Sequence, residues 1–349
     1  MAHQDTVPVP ADTIDAWTYP PWSGVYDGKF VWGRGASDCK DQLTAILEAT
    51  ELLLGAGFQP RRTILLSFGY DEESFGYHGA GNLSSVIRDR YGSSGGLAAL
   101  VDEGARFEKA WGTLFAKPAT TEKGATNVEI VIRTPGGHSS IPQDHTGIGI
   151  LSELITEIEA TQYPTHLDER NPYYTQLHCG AAHSPEFPTK LRKLLAQRRP
   201  ASSLQHGCHG SVRRKPDHLA LEAAKQGPDV KYLMQTSQAV DIISGGAKVN
   251  ALPERVRAVI NHRVNIGETI DVVRDRLTQI ASNVANKYNL TLHAFDGKEE
   301  SSSIILSTRV GFGLNPAPVT PADGSGVSPF SILAGSVRAV FGEETIVSE

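Results

Sequence analysis

Around residue 123 the hydrophobic pattern of the chain changes period, and this divides it into two kinds of structure. Before that point, Thr63 to Phe68 and Leu97 to Val101 are almost unbroken apolar runs. Runs of this kind mark strands buried on both faces, as in a parallel sheet. They alternate with helical stretches at Asp41 to Leu54, where Leu43, Ile46, Leu47, Leu53 and Leu54 share one face, and at Ala80 to Tyr91. The order predicts an α/β fold with a mostly parallel sheet and helices on both faces. After residue 123, Asn127 to Arg133 alternates apolar and polar residues, the mark of a strand with one solvated face. A helix near 148–160, a strand at Val256 to Val264, a helix at Thr269 to Lys287 and a strand at Leu290 to Ala294 complete a small α+β, ferredoxin-like module. The stretch 165–230 is rich in Pro, His and basic residues, only weakly periodic, and is expected to be an irregular insertion. The expected division is a first domain at 1–122, an inserted module at 123–297, and a return to the first domain at 298–349.

Charge and composition exclude several classes. With 39 acidic against 33 basic residues, the net charge of −6 does not suit a nucleic-acid binder. No apolar run approaches the roughly 18 residues that span a bilayer. The first residues carry no secretion-signal pattern. Three cysteines, Cys39, Cys179 and Cys208, cannot build a disulfide framework. His178, Cys179 and His183, and later His206, Cys208 and His209, have spacings that match no common zinc module.

The residues able to carry chemistry gather in the first domain: His3-Gln4-Asp5, Asp38, Asp71-Glu72-Glu73 and Asp102-Glu103. Two of these groups directly follow a predicted buried strand, where open α/β sheets bind their ligands. Several carboxylates there repel one another unless a cation compensates them. Histidine and carboxylate ligands without a cysteine pair suit zinc in a catalytic site.

In order, His3-Gln4-Asp5-Thr6-Val7-Pro8, Gly33-Arg34-Gly35-Ala36-Ser37-Asp38-Cys39-Lys40, Asp71-Glu72-Glu73 and Asp102-Glu103-Gly104 resemble the metal-site series of the zinc aminoacylase and carboxypeptidase family. Gly136-Gly137-His138-Ser139-Ser140 and Lys248-Val249-Asn250-Ala251-Leu252-Pro253 resemble its lid-domain motifs, and the likeness is greatest to the carboxypeptidase S branch. The resemblance implies a zinc metallocarboxypeptidase acting on short peptides, or alternatively an N-acyl-amino-acid hydrolase. His3 and Asp102 would bind one of two zinc ions, Glu73 the other, and Asp38 both. Glu72 would be the general base, Asp5 would orient His3, and His138 would stabilise the oxyanion. Asn250 and Arg263 would hold the substrate carboxylate. A cis peptide after Asp38, a vacuolar location and a homodimer through the inserted domain are further implications. The family's last zinc histidine has no counterpart after His293. From this we expect a chain shortened at both ends, one tightly held zinc, and, as a reading of another class, an inactive binding relative.

Overall fold

The computed structural model describes residues 1–92, 96–104, 106–167, 169–198, 216–309, 313–322 and 326–348. They form two compact units, Met1–Ala105 and Arg106–Glu349. His206, Cys208 and His209 lie outside the described residues.

In the first unit, strand β1 (Ala2–His3) is followed by a short hairpin of β2 (Val25–Tyr26) and β3 (Val31–Trp32). Asp27 ties the hairpin by accepting from the backbone N–H groups of Lys29 and Phe30 and from the Trp32 indole. Helix α1 (Lys40–Gly55) starts directly after a cis Asp38–Cys39 peptide, as the resemblance implies. Strand β4 (Phe68–Gly69) and helix α2 (Ala80–Tyr91) complete the unit. β1 and β4 pair in parallel, Ala2 opposite Phe68 and His3 opposite Gly69.

The expected mostly parallel sheet is not what forms. Only the last residue of the run Thr63 to Phe68 lies in a strand, and the segment at Leu97 to Val101 forms no strand. A central parallel strand needs cover on both faces. Within this unit Ile64, Leu65, Leu66, Leu100 and Val101 are exposed, and neither helix buries a residue. The apolar runs therefore have the composition of central strands without the packing that makes one.

The second unit is mainly antiparallel. β5 (Arg106–Ala110) and β6 (Thr113–Lys117) form a hairpin. β7 (Gly124–Arg133) follows, then the two-residue strand β8 (Gly137–His138) and helix α3 (Gly147–Ala160). Among the described residues four α-helices come next: α4 (Pro172–His183), α5 (Thr189–Gln197), α6 (His218–Ala223) and α7 (Pro228–Leu233). Strands β9 (Ser237–Gly245), β10 (Ala251–Leu252) and β11 (Arg255–Val264) lead into helix α8 (Ile270–Tyr288). After β12 (Thr291–Ala294) and β13 (Ser303–Thr308), helix α9 (Pro329–Phe341) and β14 (Ile346–Val347), parallel to β6, end the unit.

The main sheet runs β12-β13-β7-β11-β9 and so extends past residue 297. The predicted alternation holds in part: one face is buried throughout β7 and β11, while Val131, Val259 and Ile305 on the other face are buried as well, so that face is not simply solvated. Val128, Ile130 and Ile132 of β7 and Val256, Ala258, Ile260 and Val264 of β11 are buried. They meet Ile150, Leu151, Leu154 and Ile158 of α3 and Val273, Leu277, Ala281 and Val284 of α8 in one core. Both helices bury residues three and four apart, as an amphipathic helix must.

The stretch 165–230 is helical where it is described, not irregular. Asn171 caps α4 by accepting the Tyr173 N–H, with Pro172 in the first turn, and Asp217 caps α6 through the Ala220 N–H. Tyr173, Leu177, Phe187, Leu191, Leu195, Leu219 and Met234 form a second core. Gly180 is required there, because a Cβ would sit 2.3 Å from the Trp111 ring.

Candidate metal centre

Strand pairing brings the first candidate residues together. The parallel register of β1 and β4 sets His3 beside Gly69, so the chain leaving β4 reaches Glu72 and Glu73 within a few residues. A tight turn holds that segment in shape. The Asp71 carboxylate accepts the His78 and Gly79 N–H groups at 2.8 and 2.7 Å. Asp71 is thereby committed to the turn, and a Cβ at Gly79 would lie 2.4 Å from its oxygen.

Asp5 ties β1 to this turn. Its two carboxylate oxygens accept the N–H groups of Glu72 at 3.1 Å and Glu73 at 3.0 Å. One of them also lies 3.3 Å from His3 Nδ1, which is 3.1 Å from the Asp5 carbonyl. Nδ1 thus donates toward Asp5, and Nε2 faces the remaining carboxylates. Asp38 Oδ1 lies 3.0 Å from it, Glu103 Oε2 3.6 Å and Glu72 Oε2 3.8 Å. His3 is 3% exposed, whereas these carboxylates remain open to solvent to varying degrees. Glu73 is held from the other side, where its Oε1 accepts the Val7 N–H at 3.1 Å.

Among the described residues two groups have ligand atoms all within 4.8 Å of one another: His3, Asp38, Cys39 and Glu103, and His3, Glu72 and Glu73. Asp102 is exposed and belongs to neither, whereas its neighbour Glu103 lies in the first group. The segment forms no strand, so adjacent carboxylates there leave open which of the two turns inward. Periodicity alone did not say which.

The electrostatics fit a divalent cation. Burial works against charge on the His3 imidazole, but its hydrogen bond with Asp38, the Glu103 and Glu72 carboxylates and the Asp5 backbone outweigh it. The net result is an imidazole held above its ordinary pKa. Burial raises the Glu72 carboxyl; His3 offsets part of this, and Glu103, Glu73 and Asp38 push it higher again. Carboxylates gathered around one imidazole nitrogen favour a proton on it, and for the same reason favour a metal ion in the proton's place. Sequence reasoning also passed over Cys39. Its sulfur accepts the His3 N–H at 3.2 Å, and burial pushes the thiol up to about 11, so at neutral pH it is a neutral support for β1.

The remaining candidates lie in the second unit. His138 is exposed on β8, which pairs with β10. Its Nδ1 accepts the Ser140 N–H at 3.1 Å and lies 2.7 Å from the Ser140 hydroxyl. A neutral ring whose Nδ1 accepts must carry its proton on Nε2. Asn250 is exposed, and its carbonyl accepts the Ser139 N–H at 3.3 Å. Arg263 is exposed on β11, where its N–H donates to the Ser237 hydroxyl.

Residues 1–318 match peptidase family M20/M25/M40. The chain belongs to that family. It is 41% identical over 351 residues to Carboxypeptidase S of Saccharomyces cerevisiae, an alignment covering 98% of this chain and 58% of that protein. It is 29% identical over 354 residues to the N-fatty-acyl-amino acid synthase/hydrolase PM20D1 of Bos taurus, covering 100% of this chain and 61% of that one. The chain thus spans about three-fifths of the length of these family members. Among solved structures it resembles human carnosine dipeptidase 1, at TM-score 0.59 and 18% identity over 100% of this chain and 67% of that one. It also resembles the M20 family metallo-carboxypeptidase Sso-CP2 from Sulfolobus solfataricus, at TM-score 0.56 and 18% identity over 99% and 70%. These likenesses establish a shared M20 fold.

Proposed function

We propose that this chain carries the centre of a zinc-dependent metallocarboxypeptidase that cleaves the amide bond next to a C-terminal carboxylate in short peptides. The observation that carries this reading is the ring of Asp38, Glu103 and Glu72 carboxylates around His3 Nε2. His3, Asp38 and Glu103 would hold one ion, and Glu73 with a share of Asp38 a second. Among the described residues both ligand groups share one imidazole, that of His3, so the first ion should be held more tightly. When bound, zinc supplies Lewis-acid polarisation of water and of the scissile carbonyl.

The protein's own residues move the proton. Glu72, pushed up by burial and neighbouring carboxylates, accepts one from the attacking water and gives it to the leaving amine, so the amide ends as an acid and an amine. His138 Nε2–H would donate to the carbonyl oxygen as it gains charge. Arg263 offers a fork for the two oxygens of the substrate carboxylate, and Asn250 an amide N–H. β9 is the outer strand of its sheet, with Ile242 and Ile243 exposed, which suits a homodimer through this unit. Among the described residues no helix is long and apolar enough to cross a membrane, and a vacuolar location remains part of the reading.

The similarity to PM20D1 favours a second substrate class, N-acyl amino acids. Both substrates place an amide beside a carboxylate. Release of the C-terminal amino acid from a blocked dipeptide and from an N-fatty-acyl amino acid, measured with zinc content, tests the reading. Hydrolysis of the dipeptide that disappears in Glu72→Gln at unchanged zinc content supports it. A Glu72→Gln chain as active as the unaltered one refutes it.

A further inference from the structure

We propose that His293 and Glu300, with Asp296 orienting the histidine, form a separate zinc site in the connection between β12 and β13. These strands are parallel neighbours joined by only residues 295–302. Parallel neighbours ordinarily need a crossover of about a dozen residues or more. Phe295, Gly297 and Ser302 make this short link with positive φ values of 58°, 75° and 56°. The link also carries three carboxylates. Glu299 is already paired with Arg133 at 2.6 Å and Arg255 at 3.3 Å, which leaves Asp296 and Glu300 to face His293.

The ring is placed as a metal ligand is placed. His293 is 7% exposed, and its Nδ1 lies 3.0 Å from Asp296 Oδ2. A carboxylate on the far ring nitrogen fixes the tautomer of a ligating histidine and strengthens it as a donor. That leaves the Nε2 lone pair, on a buried atom with no hydrogen-bond partner among the described residues. Glu300 Oε2 stands 3.6 Å from it, too far for a hydrogen bond. Zinc holds imidazole nitrogen at about 2.0–2.1 Å and carboxylate oxygen at about 2.0–2.2 Å, so two such atoms on one tetrahedral ion lie roughly 3.3–3.5 Å apart, a little closer than the 3.6 Å seen here, and a small turn of the exposed Glu300 side chain closes the gap. His3 Nε2 and Glu103 Oε2, in the first unit, show the same 3.6 Å separation. The Ser303 hydroxyl donates to the Glu300 carbonyl and so anchors the second ligand at the start of β13.

A superficially similar pair fails this comparison. His166 Nδ1 and Glu268 Oε1 lie 3.8 Å apart, but the Thr236 hydroxyl donates to Glu268, and the charge of Lys123 acts on it. That carboxylate is already compensated. With two protein ligands and water for the rest, the His293 site would bind zinc reversibly and clasp the short connection.

The test uses the full chain with its main centre loaded and zinc added stepwise, while the ¹⁵N signals of selectively labelled histidine rings are followed. The expected result is a large shift of the His293 Nε2 signal on adding zinc. Affinity read from that shift should weaken about ten- to a hundredfold in Asp296→Asn and at least as much in Glu300→Gln. Asp296 and Glu300 are surface carboxylates, so neither variant threatens the fold. A His293 ring whose signals do not move with zinc, or an affinity equal in the unaltered chain and both variants, would overturn the proposal.

Discussion

Asp5 is the residue on which the geometry of the metal centre turns. It accepts the N–H groups of Glu72 and Glu73 and lies against His3 Nδ1, linking the strand that carries His3 to the turn that carries Glu72. Replacing it with Asn keeps the size but weakens the hold on the imidazole. We expect Asp5→Asn to lower zinc affinity about ten- to a hundredfold, checked by competition with a chromophoric chelator. Glu72→Gln should behave differently, losing about 10²- to 10⁴-fold in turnover with zinc affinity nearly unchanged. That His3, Asp38, Glu72 and Glu73 gather together was legible from motif order and the family resemblance it carries. Glu103 was not, because two adjacent carboxylates give no signal as to which faces inward.

The strand β11 shows how one element carries both the core and a titratable burden. Its inward residues Val256, Ala258, Ile260 and Val264 continue in register to His262, which is fully buried with its ring edge-on to Tyr163 at 5.9 Å. Burial, the larger effect, outweighs the backbone hydrogen bonds of Ile260 and Thr126 and holds this imidazole down to about 4. Unfolded, it titrates near 6.5. Stability is therefore full above about pH 6.5 and falls as acid protonates the unfolded chain first, down to about pH 4. The loss over that window is on the order of 3 kcal/mol. Urea unfolding at several pH values should show this slope, and His262→Gln should flatten it. In α3, Leu154 is fully buried against the sheet, and Leu154→Ala should cost about 2–5 kcal/mol in the same assay. The period-two and period-3.6 patterns made β7, β11, α3 and α8 readable in sequence. The helices α4 and α5 escaped notice because each is short and its apolar face is completed by Trp111, Phe187 and Met234, which are distant in sequence.

At the scale of the molecule, the two units differ in what holds them. Among the described residues the second has two large cores and a small one around Ala116, Ala334 and Val347, whereas the first leaves its apolar runs and both helix faces exposed. That contrast explains why the parallel sheet read from composition was not found. Apolar runs specify a central strand only when neighbouring elements cover it, and a run cannot report whether they do. The polar site in the first unit depends less on burial. It is fixed by hydrogen bonds that Asp5 and Cys39 accept from neighbouring segments and that Asp71 accepts within its own turn. His3, Asp38 and Glu103 are the proposed primary metal site. Zinc bound per chain after dialysis should be measured side by side for the unaltered chain, Glu103→Gln and Asp102→Asn. We predict that Glu103→Gln loses most of the zinc while Asp102→Asn keeps it; zinc lost from Asp102→Asn and retained by Glu103→Gln would contradict the assignment.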